Sequence, residues 1–150
     1  MSKNSAIVRH KLSAPAKWLR DNHLLYGRTF DYGCGRGGDA KILRIPKYDP
    51  FWDSNNYFQS DTWGTVLCTY VLNVVPYSVQ EKIIRTVRKQ LTLDGAAYFS
   101  VRRDLPLEGK QGRDCWQRYV EIPHTPIIFE NSWFAIYKVR HPIANLLHLW

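Results

Sequence analysis

The chain has little of what an extracellular or membrane protein needs. Of its 150 residues three are cysteine, Cys34, Cys68 and Cys115, an odd number with no Cys-x-x-Cys pair. A disulfide framework and a zinc knuckle are both excluded on that count, and reduced thiols are expected. No apolar run approaches the roughly 20 residues of a membrane span, and the first residues lack a signal-peptide pattern, so a cytoplasmic protein with no membrane partner is expected. The histidines His124, His141 and His148 lack metal-ligand spacing, and no metal site is expected. Internal repeats and low-complexity tracts are also missing, which argues for one compact unit.

What is present describes a globular protein with a basic surface. Hydrophobic residues make up 45% of the sequence, with six tryptophans and nine tyrosines, enough for a sizeable core. Lysine and arginine number 21 against 13 acidic residues, a formal charge of +8 that attracts polyanions such as nucleic acid. The length suits a single domain over 13–150, preceded by a basic arm over 1–12, and leaves no room for separate cofactor and substrate domains.

Local patterns alternate strand and helix. Ser13 is placed to cap a helix with Pro15 in its first turn and Trp18 and Leu19 on its apolar side, closed by Asn22 and Gly27. Arg28 to Tyr32 reads as a strand, Gly38 to Ile45 as a short helix stopped by Pro46, and Lys47 to Asp49 as a brief second strand. Trp63 to Tyr70 is apolar on both faces, as a central strand should be. Ser78 and Glu81 form a capping box for a helix that buries Ile83, Ile84, Val87 and Leu91. Gly95 turns the chain into a strand over A-A-Y-F-S-V. Residues 104 to 118 read as a charged loop ending in a helical turn, and Ile127 to Phe129 with Trp133 to Val139 as a hairpin. The expected class is α/β, a mostly parallel sheet with an antiparallel C-terminal edge. Ile143 to Trp150 is an apolar run, either a final helix or a partner contact.

Between the first strand and its helix lies F-D-Y-G-C-G-R-G-G-D, with four glycines in six residues. Glycine lets the backbone adopt positive φ and a ligand approach closely. Gly33, Gly35 and Gly38 satisfy the G-x-G-x-x-G pattern of dinucleotide sites. Two carboxylates point elsewhere. Asp31, two residues before Gly33, would repel a pyrophosphate but suits the ammonium of an adenosyl amino acid. Asp49 follows Gly38 by about ten residues rather than the roughly twenty of a nicotinamide site, at a strand tip where it can accept from a ribose diol.

These segments resemble class I S-adenosylmethionine-dependent methyltransferases. D-Y-G-C-G-R-G (31 to 37) is similar to their first motif, Y-D-P (48 to 50) to the acidic end of their second strand, residues 61 to 76 to the fourth strand and the segment after it, and 91 to 101 to the fifth strand. V-R-H-K-L-S-A-P-A-K-W-L (8 to 19), leading into the glycine loop, resembles the methyltransferases associated with DNA phosphorothioation gene clusters. The resemblance implies a Rossmann-like fold with S-adenosyl-L-methionine as cofactor, held by Asp31, Gly33, Cys34, Gly35, Gly37, Asp49, Pro50 and Tyr70. Only eleven residues separate Asp49 from Asp61, where such a fold normally places a helix and a strand. The sheet is therefore expected to be reduced there, with Asp61 among several candidates for the adenine pocket.

The acceptor is less determined. Tyr70 and Asn73, after the fourth-strand segment, are candidates for contact with it; core packing and a turn cap are the competing roles. His10 is a candidate general base. Arg9 and Lys11 on the arm, with Arg103 and Arg113 near Trp116 and Tyr119, are candidates for holding a phosphate-bearing substrate; solvated charge is the alternative. Nucleic acid is favoured by charge and a small-molecule acceptor stays open, as does a partner or regulatory protein that binds the cofactor without methyl transfer.

Overall fold

A computed structural model describes residues 6–55, 57–144 and 146. Residues 1–5 of the arm, His148 and most of the apolar C-terminal run lie outside the described residues. Helix α1 (Ala14–Asp21) leads to β1 (Thr29–Tyr32), α2 (Gly38–Leu43), β2 (Lys47–Tyr48) and β3 (Trp63–Thr69). Helix α3 (Tyr77–Lys89) and β4 (Leu91–Arg102) follow, then a small hairpin, β5 (Lys110–Gln111) and β6 (Trp116–Gln117), and finally β7 (Ile127–Glu130) and β8 (Phe134–Arg140). The main sheet has the order β2-β1-β3-β4-β8-β7. Neighbours from β2 to β4 are parallel, and β8 and β7 close the sheet antiparallel. This is the architecture that the alternating pattern implies.

Alternation along the strands sorts the core into two layers. Phe30, Val66, Cys68, Phe99 and Tyr137 pack with Val87 of α3, whereas Leu67, Tyr98 and Ile136 pack with Leu19 of α1 and Leu43 of α2. Ser13 caps α1 through its hydroxyl, which accepts from the Ala16 N–H at 3.3 Å. The β7–β8 turn is tied by Asn131, whose Oδ1 accepts from the N–H groups of Trp133 and Phe134.

Five local expectations are corrected. Helix α3 starts at Tyr77 after Pro76, with no side-chain cap, so the Ser78/Glu81 capping box is not formed. The amide of Gln80 instead donates to the carbonyls of Leu72 and Val75. Leu91 belongs to β4, not to the helical stripe, and Gly95 lies inside that strand. A Cβ at Gly95 would lie 2.9 Å from the Trp63 carbonyl and 3.0 Å from that of Gly64, where the β3–β4 register shifts. Helix α2 ends at Leu43, because Arg44 takes a left-handed conformation. The charged segment ends in the β5–β6 hairpin rather than a helical turn.

The reduction after β2 is present. Among the described residues no strand lies beyond β2 in the sheet order; an Asp49–Asp53 bridge and a 3-10 turn over Phe58–Ser60 lie in that stretch. Phe58 is fully buried against Phe30 and Trp63 in a small aromatic cluster. Among the described residues no helix is long and apolar enough to cross a membrane.

Candidate functional site

Chain order reverses between β1 and β3, since β2 lies on one side of β1 and β3 on the other. Open α/β sheets bind ligands at such a point, outside the carboxyl ends of the strands. A cavity of about 480 Å³ opens there, lined by Asp31, Gly33, Cys34, Gly35 and Asp49 from the first half of the chain and by Thr69, Tyr70, Arg102 and Asp104 from the second.

The loop is shaped by left-handed glycines: φ is +78° at Gly33, +56° at Gly35 and +78° at Gly37. The N–H groups of Gly33 and Cys34 both donate to the Tyr48 carbonyl, at 2.7 and 2.9 Å, which locks the loop to β2. What the glycines admit is largely protein. A Cβ on Gly33 would fall 2.4 Å from Val71 Cγ2, one on Gly35 3.1 Å from Ala6 Cβ, and one on Gly38 2.8 Å from Arg9 Cβ. Residues 6–9 thus lie on the loop, and Ala6, Ile7 and Arg9 form one wall of the cavity.

Three aspartates dominate the floor. Asp31 is 4% exposed, and among the described residues nothing donates to its carboxylate. Burial, reinforced by the charges of Asp39 and Asp49, pushes it up to about 8. Asp39 is held by Ser13, whose N–H and hydroxyl donate to its two oxygens at 2.7 and 2.6 Å, so α1 is pinned to the start of α2. Asp49 braces the loop, its Oδ2 accepting from the Gly35 N–H at 2.9 Å and its Oδ1 from the N–H groups of Phe51 and Trp52. A carboxylate offers about four acceptor positions. With Oδ1 filled, Asp49 as it stands has one position left, on Oδ2, rather than the two that a ribose diol would use.

The cations and the phenol lie toward the mouth. Arg102 forms a two-point pair with Asp104 at 2.8 and 2.7 Å; the pairing raises the guanidinium and lowers the carboxyl. Arg9 has no carboxylate partner among the described residues and lies 5.8 Å above the centre of the Tyr70 ring. Tyr70 itself has φ +60°, an uncommon conformation for a bulky residue, and burial raises its phenol. The Cys34 thiol is pushed up to about 12, first by burial and then by Asp31, Asp49 and Asp53, which makes it a poor nucleophile. Cys68 is buried and raised for the same first reason.

Of the residues expected from sequence, Asp31, Gly33, Cys34, Gly35, Asp49, Tyr70 and Arg9 come together at this cavity. Others do not. Asp61 precedes β3, at the amino end of the strand and away from the site, where it pairs with Arg28. Asn73 is fully buried, donating to the Arg118 carbonyl and accepting from the Arg102 N–H, so it clamps two loops instead of meeting an acceptor. Arg103 is folded inward, its guanidinium donating to Glu130, the Val120 carbonyl and the Tyr137 hydroxyl, and it is not available to a substrate. His10 and Lys11 are exposed and outside the lining, as are Pro50 and, in the hairpin region, Arg113. Gly37 shapes the turn before α2 without lining the cavity. Asp39, Thr69, Asp104 and Trp133 line it although sequence reasoning passed them over. Asp39 had a signal, directly following the last glycine of the loop; its tie to Ser13, 26 residues away, had none.

No family model and no curated protein matches the chain. Solved structures do. A protein from the conversion of a disulfide bond into a thioacetal group during echinomycin biosynthesis aligns over 91% of this chain and 84% of its own, with a TM-score of 0.60 at 12% identity. TehB from Haemophilus influenzae aligns over 86% of this chain and 62% of its own, with 0.60 at 10%. DhpI in its SAH complex aligns over 86% and 84%, with 0.55 at 14%. Strand order, the carboxyl-edge cavity and these likenesses agree: the chain has the Rossmann-like fold of class I methyltransferases, with no strand beyond β2 among the described residues.

Proposed function

We propose that the protein binds S-adenosyl-L-methionine and transfers its methyl group. One observation carries the reading: Asp31 is a buried carboxylate with no donor among the described residues, at the floor of the cavity. Burial makes the charged form costly and pushes the carboxyl up to about 8, unless a cationic ligand supplies the missing partner. Arg9, on the same lining and without a carboxylate partner among the described residues, has the opposite sign. A ligand with an ammonium and a carboxylate at one end matches that pair, and the amino-acid portion of the cofactor is such a group. A pyrophosphate would match Arg9 but be repelled by Asp31, Asp39 and Asp49, which disfavours a nicotinamide dinucleotide.

Asp31 would receive the ammonium, Gly35 and Asp49 would border the ribose, and Tyr70 with Val71 would wall the reacting end. When bound, the cofactor supplies a methyl group on a positively charged sulfur, open to in-line displacement by an acceptor. The protein's part is to hold the two in line and keep water out, which can supply on the order of 7 to 11 kcal/mol. The likeness to DhpI in its SAH complex supports the cofactor. For the acceptor, the charge of +8 and the resemblance of residues 8 to 19 to phosphorothioation-associated methyltransferases favour nucleic acid. A second reading, a binding protein that transfers nothing, is favoured by the missing strand after β2, which leaves the nucleoside side of the site to a bridge and a 3-10 turn.

Calorimetry with S-adenosylhomocysteine and with NAD tests the reading: binding of the first alone is expected, and a folded protein that binds neither refutes it. Incubation with methyl-labelled cofactor and separate pools of DNA, RNA and small molecules then divides enzyme from binder and identifies the acceptor class.

A further inference from the structure

The cofactor reading uses one end of the cavity. Asp31, Gly35, Asp49, Tyr70 and Val71 stand at or just past the carboxyl ends of β1, β2 and β3, whereas Arg102, Asp104 and Trp133 line the same cavity from the end of β4 and the start of β8. Sheet order runs β1, β3, β4, β8, and neighbouring strands lie about 4.8 Å apart, so Trp133 stands roughly 14 Å along the edge from the glycine loop. A single exposed apolar residue is ordinary on a surface. Trp133 differs in two ways. At 66% it is the most exposed tryptophan among the described residues, and it lies on a cavity wall. Its backbone is also fixed: the N–H donates to Asn131 Oδ1 at 2.8 Å and the carbonyl accepts from the Arg103 N–H at 2.8 Å. Trp18, Trp52 and Trp63 each pack against another ring or a guanidinium, but the Trp133 indole meets neither among the described residues. The turn thus anchors the base of the side chain while its ring has no partner.

We propose that Trp133 is a stacking platform for a planar aromatic ring of the methyl acceptor. The assignment rests on the proposed methyl transfer and names the chemistry of what receives the group. An indole offers flat apolar faces to any π-system, and its rigid ring loses little conformational freedom on contact. The layout divides the labour along the sheet edge: donor over β1 and β3, acceptor ring toward β4 and β8, with Tyr70 between them. Such a ring has two sources, an unstacked base of a single strand and a free aromatic compound. The formal charge of +8 favours the strand. A duplex offers no free ring face within its length, because its bases already stack on one another.

The test measures binding with S-adenosylhomocysteine present, using single-stranded DNA and RNA of about 12 nucleotides, the matching duplex, and cytidine and 2-naphthol as free rings. The unaltered protein is expected to bind a single strand more tightly than the duplex; tighter binding of a free ring instead keeps the platform and makes the acceptor a small molecule. Trp133→Leu, apolar but without a ring, should weaken that ligand about tenfold, and Trp133→Phe should stay within about threefold of the parent. Both variants should bind S-adenosylhomocysteine within about twofold of the parent, which also reports that they are folded. Unchanged acceptor affinity in Trp133→Leu overturns the platform, and so does an equal loss in Trp133→Phe, which would mark a role other than stacking. A parent that binds S-adenosylhomocysteine but no ring ligand loses the platform and keeps the cofactor. A parent that does not bind S-adenosylhomocysteine loses the cofactor reading and the platform with it.

Discussion

Replacing Asp31 by Asn tests how the site stores free energy. The substitution keeps shape and removes one titrating group. In the folded chain burial, with the charges of Asp39 and Asp49, moves the carboxyl from an ordinary 3.8 to about 8. A raised carboxyl binds its proton more tightly folded than unfolded, so its contribution to stability is complete below pH 4 and is lost as pH rises toward 8. Each pH unit in that window is about 1.4 kcal/mol. The side-chain amide of the variant has nothing to ionise. The stability difference between Asp31→Asn and the parent should therefore be near zero at pH 3.5, about 2 kcal/mol in favour of the variant at pH 5 and about 4 kcal/mol at pH 7. Urea unfolding of both proteins at half-unit pH steps, without ligand, measures the difference directly and cancels every other titration. A flat difference, or a parent that gains on the variant as pH rises, refutes the account of Asp31 as a buried charge without a partner. The same variant should lose S-adenosylhomocysteine binding, making the residue a cost to the empty fold and a requirement of the occupied one.

Two further outcomes follow from the geometry around the loop and the β4–β8 region. Gly33→Ala places a methyl 2.4 Å from Val71 Cγ2 at φ +78°, and should destabilise by more than about 2 kcal/mol in thermal or urea unfolding, with Gly33→Ala/Val71→Ala recovering the steric but not the backbone part. Arg103→Ala removes the donor to Glu130, Val120 and Tyr137, leaving two of them partly buried and unpaired; a loss of about 2–3 kcal/mol in stability is expected, with S-adenosylhomocysteine affinity in calorimetry unchanged, against the substrate role that sequence suggested.

Features governed by neighbours in the chain were legible in advance. The Ser13–Pro15 start of α1, the left-handed glycine loop and the two-sided burial of β3 depend on residues within a few positions of each other, and periodicity or backbone freedom reveals them. The placement of Asp31 and Asp49 at the cavity was legible because each sits near the carboxyl end of its strand next to the loop. The failures are of a different kind. Asp61, one of several candidates for the adenine pocket, precedes β3 and so lies at the amino end of that strand, the edge opposite the cavity, where Arg28 pairs with it. Asn73 and Arg103 read as polar residues near a site, whereas their partners, at Arg118, Glu130 and Tyr137, are 27 to 45 residues distant. Ser78 and Glu81 have the spacing of a capping box, yet the helix starts at Tyr77 with Pro76 in the cap position, two residues too early for Ser78 to cap it. Spacing is local information; the geometry that overrides it is not.

The seat of residues 6–9 on the glycine loop bears on timing. Ile7 and Val8 are 65% and 53% exposed, so this stretch is held by little more than the close approach at Gly35 and Gly38 and the stacking of Arg9 on Tyr70. Segments with so few buried contacts open at low free-energy cost compared with the sheet beneath them. The wall that would enclose the ligand's amino-acid end is then the part of the cavity quickest to part, and the residence time of a bound molecule becomes a property of this stretch more than of the aspartates. A loop that looks built for affinity doubles as the latch plate of a door.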